Sequence, residues 1–418
     1  MSNLNFKRTK YACYFTTLST SSVFSLQPLL FSTFRNLYGI SYTLLGTLVA
    51  VNFCTQLAID LIFSFFSKHF NIHKTIRLMP VVTAVGMCIY AIIPTIFPQY
   101  AYAGLLMGTF VFSVAAGLGE VLLSPTVAAC PSDNPEKDMS TLHSLYGYGL
   151  VGVAVVSTVF LQFVGQDYWM YLTLMWAVLP FIAAIMLASV PLPQMNIGND
   201  VKENVNSRHR TQSILLCMMC IFLGACAENT MTNWISVYTE KVLNLPKIWG
   251  DLFGMALFAT VLALTRTLYA RYGKNIYRTL VISMIATVVF YATAAVSPVA
   301  SVSLVACVAV GISTSMLWPG TLILMEEKIP SVGVATYALM AAGGDLGASF
   351  APQALGVLVD KLSLTQWASD MANTLSITTE QVGFKVGMLS ATIFPLLGLI
   401  VLLFIRRHFN KQKQNNSI

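Results

Sequence analysis

Two long stretches without a charged side chain constrain this chain more than any other feature of its sequence. Residues 78 to 119 and residues 279 to 325 contain no Asp, Glu, Lys or Arg. About 20 apolar residues cross the hydrocarbon of a bilayer, so each stretch is long enough for two crossings. The alternation of apolar and polar residues that marks an outer-membrane barrel is missing. The sequence therefore predicts an integral membrane protein built from helices.

The overall scarcity of charge excludes a soluble protein of two or three domains. Charged residues make up 10% of the 418 residues, whereas about 25% is usual in soluble domains. The apolar run from Tyr11 to Phe34 follows a short basic start and lacks a small-residue cleavage site, which predicts a retained first span. The eight cysteines lie mostly inside apolar segments, so we expect no disulfide framework.

Charge-free runs, and the Pro and Gly residues between them, divide the chain into twelve predicted spans. The loops on one side hold 18 of the 24 Lys and Arg residues. Lys and Arg remain on the cytoplasmic side, so both termini are predicted to face the cytoplasm. The net charge of +7 arises mostly from the Lys and Arg residues of these loops. Because membrane topology accounts for this charge, we expect no nucleic-acid partner. These basic loops are residues 1–10, 67–77, 128–140, 191–212, 271–278, 326–332 and 406–418. The predicted spans are residues 11–34, 42–66, 77–97, 101–127, 141–164, 169–190, 213–237, 250–270, 279–297, 300–325, 333–358 and 383–405.

The longest cytoplasmic connection is polar and separates the sixth span from the seventh. It divides the chain into a predicted N-terminal six-helix bundle (residues 1–190), a linker (191–212) and a C-terminal six-helix bundle (213–418). A shift of 204 residues superposes Asn71 on Asn275, with matching residues around both. A shift of 208 matches the early part of the repeat equally well, so the register there stays open. We expect two six-span pseudo-repeats that arose by duplication.

Twelve spans, cytoplasmic termini, a central polar loop and a basic turn after the second span of each half resemble the major facilitator superfamily. The turn from Arg271 to Asn275 matches the latter part of that family's G-x-x-x-D-R-x-G-R/K signature. The equivalent turn of the first half, Ser64 to His73, departs from it. The resemblance implies an all-α membrane protein with the major facilitator fold: twelve transmembrane helices in two six-helix pseudo-repeats.

Short motifs in spans four, seven and ten resemble the branch of this superfamily that contains fucose, galactose and glucose proton symporters. In that branch a span-four Glu and a span-one Asp serve proton coupling and sugar binding, so the resemblance implies a coupling role for Glu120. Span one has no acid in this chain, and Gln27 is its most polar residue. The motifs are Gly117-Leu118-Gly119-Glu120 with Ser124-Pro125, Glu228 with the following Asn and Trp residues, and Leu317-Trp318-Pro319-Gly320.

Five charged side chains lie well inside the predicted spans: Asp60, Glu120, Glu228, Arg266 and Asp345. Each costs about 2.5 to 3.5 kcal/mol to insert, so each needs a partner, water or a bound proton. Acids in a membrane cavity bind and release protons, which is what coupling requires. A structural ion pair between Glu120 and Arg266 is the alternative to proton coupling. The acids predicted to couple proton movement are Glu120, Glu228 and Asp345. The residues predicted to gate the path or to form ion pairs are Asp60, Arg266, Arg271 and Lys274.

Span seven carries the kinds of group that bind a sugar. Asn229 and Asn233 are four residues apart and share a helix face. Amides and a carboxylate bond to hydroxyl groups, and an indole covers the apolar side of the sugar ring. Gln27 precedes a predicted kink at Pro28, where a polar side chain can line a cavity. The alternative for span seven is that the Asn residues bond to neighbouring helices and the Trp lies at the membrane interface. The predicted substrate-binding residues are Gln27, Glu228, Asn229, Asn233, Trp234 and Trp318.

These features predict a secondary active transporter that works by alternating access, a proton-coupled symporter of a sugar or similar small polar solute. Proton-driven efflux of drugs or other amphipathic compounds is the first alternative, and a sugar-sensing receptor on a transporter scaffold is the second. The sequence contains no nucleotide-binding loop, metal-spaced residue set or nucleophile triad, so we expect no enzyme activity, no cofactor and no metal. We expect a monomer in the plasma membrane or the bacterial cytoplasmic membrane, with a small solute, protons and lipids as its partners.

Overall fold

The computed structural model describes residues 6–66, 69–194, 208–329 and 334–415. The regular structure in these four ranges is helical and includes no strand. All twelve predicted spans coincide with helices, and several of these are broken into two pieces. The α-helices are α1 (Phe6–Leu29), α2 (Phe31–Tyr38), α3 (Tyr42–Phe66), α4 (Ile72–Ile96), α5 (Ala101–Ala128), α6 (Pro135–Phe163), α7 (Trp169–Ala188), α8 (Arg208–Lys241), α9 (Lys247–Gly250), α10 (Leu257–Tyr272), α11 (Ile276–Val296), α12 (Ala300–Thr314), α13 (Leu317–Lys328), α14 (Val334–Ser363), α15 (Gln366–Leu375), α16 (Thr379–Ser390) and α17 (Ile393–Asn415).

Ten helical segments of the described ranges are long and apolar enough to cross a membrane. The two predicted spans outside this set are the first (α1 and α2) and the eleventh (α14). α1 is more polar because it carries many Ser and Thr residues. The hydroxyl groups of Thr16, Thr17 and Thr20 donate to carbonyl oxygens one turn earlier. Such bonds satisfy the hydroxyl groups within the helix, so the polarity of α1 is compatible with burial.

The chain forms two compact units. One comprises residues 1–40 and 51–199, and the other comprises residues 41–50 and 200–418. The division near residue 200 falls inside the predicted linker. Residues 41–50, the first turns of α3, belong to the second unit. The predicted N-terminal bundle, residues 1–190, includes them.

Small residues bring the helices of the first unit close together. A Cβ atom at Gly108 on α5 would lie 2.5 Å from the Cβ atom of Tyr90 on α4 and 2.6 Å from its Cα atom. Only glycine allows this approach of the two backbones. A buried apolar cluster joins several helices of the unit and includes Ala12, Phe63, Ile76, Leu122, Leu142 and Leu187.

α8 is the central helix of the second unit and packs against α12, α13, α14 and α17. The start of α3 also belongs to this unit. The N–H groups of Tyr42 and Thr43 donate to the Asp360 carboxylate at 3.2 and 2.6 Å, and the Tyr42 hydroxyl donates to Glu380 at 2.5 Å. A carboxylate here satisfies otherwise unbonded N–H groups and complements the positive end of the helix dipole.

The third span of each half begins with the same N-cap. Asn71 Oδ1 accepts from the N–H of Lys74 at 3.1 Å at the start of α4, and Asn275 Oδ1 accepts from the N–H of Arg278 at 3.0 Å at the start of α11. The 204-residue shift therefore superposes two residues with the same structural role. Thr378 and Gln381 form a capping box at the start of α16.

Candidate functional site

Buried polar side chains on α1, α3 and α5 of the first unit form a connected ladder. Ser113 Oγ lies 2.7 Å from Asn52 Oδ1 and 2.6 Å from the Thr109 carbonyl oxygen. Gln56 Nε2 donates to Asn52 Oδ1 at 3.0 Å, and Gln27 Nε2 donates to Thr109 Oγ1 at 3.1 Å. Each of these five residues is at most 3% exposed. The ladder keeps polar groups satisfied in the interior, where an unpaired group is costly.

Gln27, a predicted substrate residue, lies beside a small cavity of the same unit. Tyr90, Phe112 and Thr173 contribute to its lining. The cavity volume is about 10 Å³, which is about enough for one water molecule. In this conformation Gln27 faces the polar ladder and a water-sized space.

Asp60 and Glu120 lie at the other end of the ladder. A Cβ atom at Gly117 on α5 would lie 3.1 Å from Gln56 Cα on α3, so the two helices are in close contact there. Asp60 is one turn beyond Gln56, and Glu120 is one turn beyond Gly117. Helical spacing therefore places the two acids at the same level of this helix pair. The structure thus brings a residue predicted to gate the path together with one predicted to couple protons.

The two acids differ in their exposure. Asp60 is 9% exposed, and its Oδ1 atom is buried with no hydrogen-bond partner among the residues that the structure describes. Glu120 is exposed. Glu120 therefore lies at the surface of the unit, and Asp60 lies beneath it.

Glu228 and Arg266 form an ion pair inside the second unit. Arg266 Nη2 on α10 lies 3.0 Å from Glu228 Oε1 and 3.1 Å from Oε2 on α8. Arg266 Nε donates to the carbonyl oxygen of Ser315 at 2.8 Å. The side chains of Glu228 and Arg266 are 16% and 39% exposed, so the second unit does not fully enclose the pair. Arg266 pairs with Glu228. The alternative expected from the sequence was an ion pair between Arg266 and Glu120.

The carbonyl group of Ser315 is available to Arg266 because of a proline. The chain leaves helical geometry between α12 and α13, and Pro319 follows four residues after Ser315. In a continuous helix the N–H of residue 319 would donate to the carbonyl oxygen of residue 315, but proline has no N–H. Arg266 supplies the missing donor.

The amides predicted to bind a sugar bond partly to their own helix. Asn229 Nδ2 donates to the carbonyl oxygen of Ala225 at 3.1 Å, and Asn233 Nδ2 donates to that of Asn229 at 2.9 Å. Asn229 is partly exposed and follows Glu228 directly, whereas Asn233 is 6% exposed. Asn229 is thus the more accessible amide of this pair.

Trp234 lies in the packed interior of the second unit. It is 0% exposed, and its ring packs edge to face against Tyr42 and Phe384. Its Nε1 atom donates to the carbonyl oxygen of Pro352 at 3.0 Å. In this conformation the indole has no face open to a solute.

The Trp318 ring on α13 packs against the backbone of α14 at Gly344, the residue before Asp345. A Cβ atom at Gly344 would lie 2.2 Å from the Trp318 ring, so the indole lies directly on the backbone next to Asp345. Trp318 is half-buried and Asp345 is 4% exposed. Trp318 follows Ser315, whose carbonyl group Arg266 binds, by three residues.

Arg271 and Lys274 lie apart from these groups, in the turn between α10 and α11. Both are exposed. The Arg271 guanidinium carbon is 5.5 Å from the centre of the Tyr272 ring. Their predicted gating role remains a prediction.

Asp251 is a buried charge that the sequence analysis did not single out. It is 1% exposed and begins a π-helical segment, Asp251–Ala256. Lys247 Nζ lies 3.2 Å from its Oδ2 atom, and Ser236 donates to its Oδ1 atom. The spacing of Lys247 and Asp251, four residues apart at the head of a predicted span, was the available signal.

Comparisons with known proteins agree with this architecture. A family model described as Major Facilitator Superfamily matches residues 12–352. None of the curated protein sequences matches the chain significantly.

Three solved structures illustrate the similarity of fold. A bacterial homolog of the human lysosomal transporter Spinster, inward-facing and occupied, has a TM-score of 0.75 at 12% identity, with 98% of this chain and 99% of that chain covered. A D-xylose-proton symporter has a TM-score of 0.72 at 13% identity, with 93% and 97% covered. The nucleoside transporter NupG has a TM-score of 0.66 at 13% identity, with 97% and 99% covered. At such identities the similarity concerns the fold alone.

Proposed function

The chain belongs to the major facilitator superfamily, and from this premise we propose that it is a proton-coupled symporter of a sugar or similar small polar solute. As a multi-pass membrane protein of the transporter fold it has the twelve-helix, two-repeat architecture of that family, and it is a transporter and not an enzyme. Alternating access, coupling to protons and the class of solute are parts of the proposal.

The observation that carries the proposal is the Glu228–Arg266 pair. A partly exposed ion pair between two membrane-spanning helices is costly to keep, which is why such residues mark substrate and ion pathways. The pair offers charged donors and acceptors for hydroxyl groups, Asn229 adds an amide, and Trp318, three residues after Ser315, adds an aromatic surface. These are the groups that recognise a sugar.

Protonation of an acid gives this site two states. When Glu228 is ionised, it holds Arg266; when it is protonated, the attraction between the two side chains weakens and Arg266 can donate to a solute instead. Glu120 and Asp345 are the other acids that we assign to coupling. One proton that crosses 100 mV releases about 2.3 kcal/mol, which corresponds to about 50-fold accumulation of solute per proton.

Uptake into proteoliposomes tests the proposal. The purified protein is given labelled D-glucose, D-galactose, L-fucose and D-xylose with and without an inside-alkaline, inside-negative gradient, while a trapped dye reports internal pH. We expect one of these sugars to accumulate only with the gradient and to carry protons inward. Glu228→Gln and Glu120→Gln should abolish accumulation, and Asp167→Asn, which removes an exposed acid, should not. Unchanged coupled uptake in both Gln variants would contradict the proposal.

Efflux of amphipathic compounds is the second candidate, and one feature favours it. The second unit has an apolar cavity of about 380 Å³, lined by residues that include Phe222, Leu346 and Phe350. A cavity of this size and character suits a drug-sized apolar ligand. Ethidium extrusion from cells that express the protein, with no sugar uptake, would favour this candidate over the first.

A further inference from the structure

The paired acids Asp60 and Glu120 occupy the end of a polar ladder whose register the structure defines. Asn52, Gln56 and Asp60 are spaced four residues apart on α3 and share one helix face. Ser113, Gly117 and Glu120 form the matching face of α5, again at helical spacing.

The first two steps of this ladder are direct contacts between α3 and α5. Ser113 Oγ lies 2.7 Å from Asn52 Oδ1. A Cβ atom at Gly117 would lie 3.1 Å from Gln56 Cα and 3.1 Å from Ile59 Cβ. The third step is one helical turn further, where Asp60 on α3 and Glu120 on α5 occupy the facing positions.

The surroundings of this pair favour a bound proton. Burial separates Asp60 from most of the water, and the negative charge of Glu120 disfavours a second negative charge on Asp60. Two carboxylates held close to each other repel each other unless one proton is shared between them. The Oδ1 atom of Asp60, buried and without a hydrogen-bond partner in the described ranges, is an acceptor that such a proton would satisfy.

We propose that Asp60 and Glu120 together hold one transported proton, so that Asp60 is a proton-coupling residue and not only a gate. This inference rests on the proposed function, whose coupling role for Glu120 it extends to a second helix. A proton from water binds the exposed Glu120 carboxylate and forms an O–H bond there. The resulting acid donates a hydrogen bond to the Asp60 carboxylate, and the pair carries one negative charge. Release to water reverses these steps and leaves both groups ionised.

Asn52 and Gln56 are positioning residues in this arrangement. Their side chains bond to each other, and Asn52 bonds to α5 through Ser113. Because the bonds fix α3 against α5, they also fix the separation of the two carboxyl groups one turn away. We expect Asn52→Leu to alter coupling without removing a titratable group.

Infrared spectroscopy tests the shared proton without any knowledge of the substrate. Difference spectra of the reconstituted protein across a pH step report the C=O stretch of protonated carboxyl groups. We expect the wild-type band to change its position or disappear in both Asp60→Asn and Glu120→Gln and to be absent in the double variant. Asp167→Asn should leave it unchanged, and Asp60→Glu, which keeps a carboxyl group, should retain a band. A wild-type band in Asp60→Asn would overturn the inference, provided that thermal unfolding shows the variant to be folded.

Transport gives the second readout. In Asp60→Asn we expect gradient-driven accumulation to fall from about 50-fold per proton to near equality, while exchange without a gradient continues. The double variant should transport like either single variant, because both substitutions remove the same proton. Full accumulation in Asp60→Asn, with loss in Glu120→Gln, would refute the shared site. If the wild type takes up none of the sugars, the proposed function fails, and the infrared band still decides the proton site.

Discussion

At the scale of single residues, the acids could be found from the sequence but their partners could not. Glu120, Glu228 and Asp345 stand out because they interrupt long apolar spans. Which cation faces which acid depends on how helices pack, and the structure pairs Arg266 with Glu228. Trp234 shows the same limit, since an aromatic residue next to polar ones fits a binding site and a packed interior equally well by sequence.

Arg266 should be more important for stability when Glu228 is charged. Arg266→Gln leaves the Glu228 carboxylate without its cation, and we expect a loss of about 1–3 kcal/mol in the free energy of unfolding. Arg266→Gln combined with Glu228→Gln should recover part of this loss, because no unpaired charge remains. Thermal unfolding in detergent, followed by tryptophan fluorescence, measures both. Losses that simply add in the double variant would contradict a direct pair.

Asp138 gives a prediction for pH dependence outside the membrane spans. Lys10 Nζ lies 2.5 Å from Asp138 Oδ2, and Ser132 and Tyr14 also donate to this carboxylate. The hydrogen bond from Lys10 is the main cause of a pKa for Asp138 below its ordinary value.

A pKa that is lower in the folded protein means that the folded state favours the carboxylate. Its contribution to stability is complete above the ordinary Asp pKa and is lost as the pH falls through the lower, folded pKa. We expect Asp138→Asn to lower stability by about 1 kcal/mol at neutral pH and to have no effect in strong acid. Melting temperatures measured across this pH range test it, with Asp133→Asn, an exposed acid nearby, as the control. An equal loss at every pH would contradict the ionic origin.

At the scale of elements, helix starts with a capping residue were predictable and interruptions were not. Asn71, Asn275 and Thr378 each bond to a backbone N–H in the first turn of a helix, so their local chemistry marks the start. α15 was missed because it is short, lies between two spans and exposes polar residues. The break between α12 and α13 falls inside a long apolar run, where hydropathy carries no sign of it.

Because some helices of the first unit pack closely, glycine-to-alanine substitutions there should differ in their effect on stability. Gly108→Ala would place its Cβ atom 2.5 to 2.6 Å from the backbone of Tyr90, so α4 and α5 must separate, at a cost of about 1–3 kcal/mol. Gly152→Ala on α6 meets nothing within 4 Å and should raise stability by up to about 1 kcal/mol, since alanine favours a helix. Relative to the wild type, the unfolding temperature should fall in Gly108→Ala and rise in Gly152→Ala. Equal stability of Gly108→Ala and wild type would contradict the close contact.

At the scale of the whole molecule, hydropathy and loop charge were enough to predict the fold. Charge-free stretches predicted the number of membrane spans. The polar connection at 191–212 indicated where the first half ends and the second begins. The position of residues 41–50 with the second unit could not be predicted, because it rests on the bonds of Tyr42 and Thr43 to Asp360, which lies more than 300 residues away in sequence.

The predicted topology has a direct test. Asp167 and Lys274 are both exposed, in loops that the charge distribution places on opposite sides of the membrane. In intact cells, a membrane-impermeant maleimide should label Asp167→Cys, and it should label Lys274→Cys only after permeabilisation. The unsubstituted protein controls for labelling of its own cysteines, of which Cys54 is exposed. The reverse pattern would place both termini outside.

The contact between Arg266 and the Ser315 carbonyl oxygen also bears on how this transporter should be mutated. Alanine substitution leaves the backbone carbonyl oxygen of Ser315 in place. An alanine scan of the region would therefore not test this hydrogen bond of Arg266. Pro319→Ala would restore an N–H that competes for the same oxygen, and the expected result is a looser Arg266 with an unaltered Glu228. A substitution at Pro319, which has no polar side-chain atom, would then have the same effect as a substitution in the Glu228–Arg266 pair.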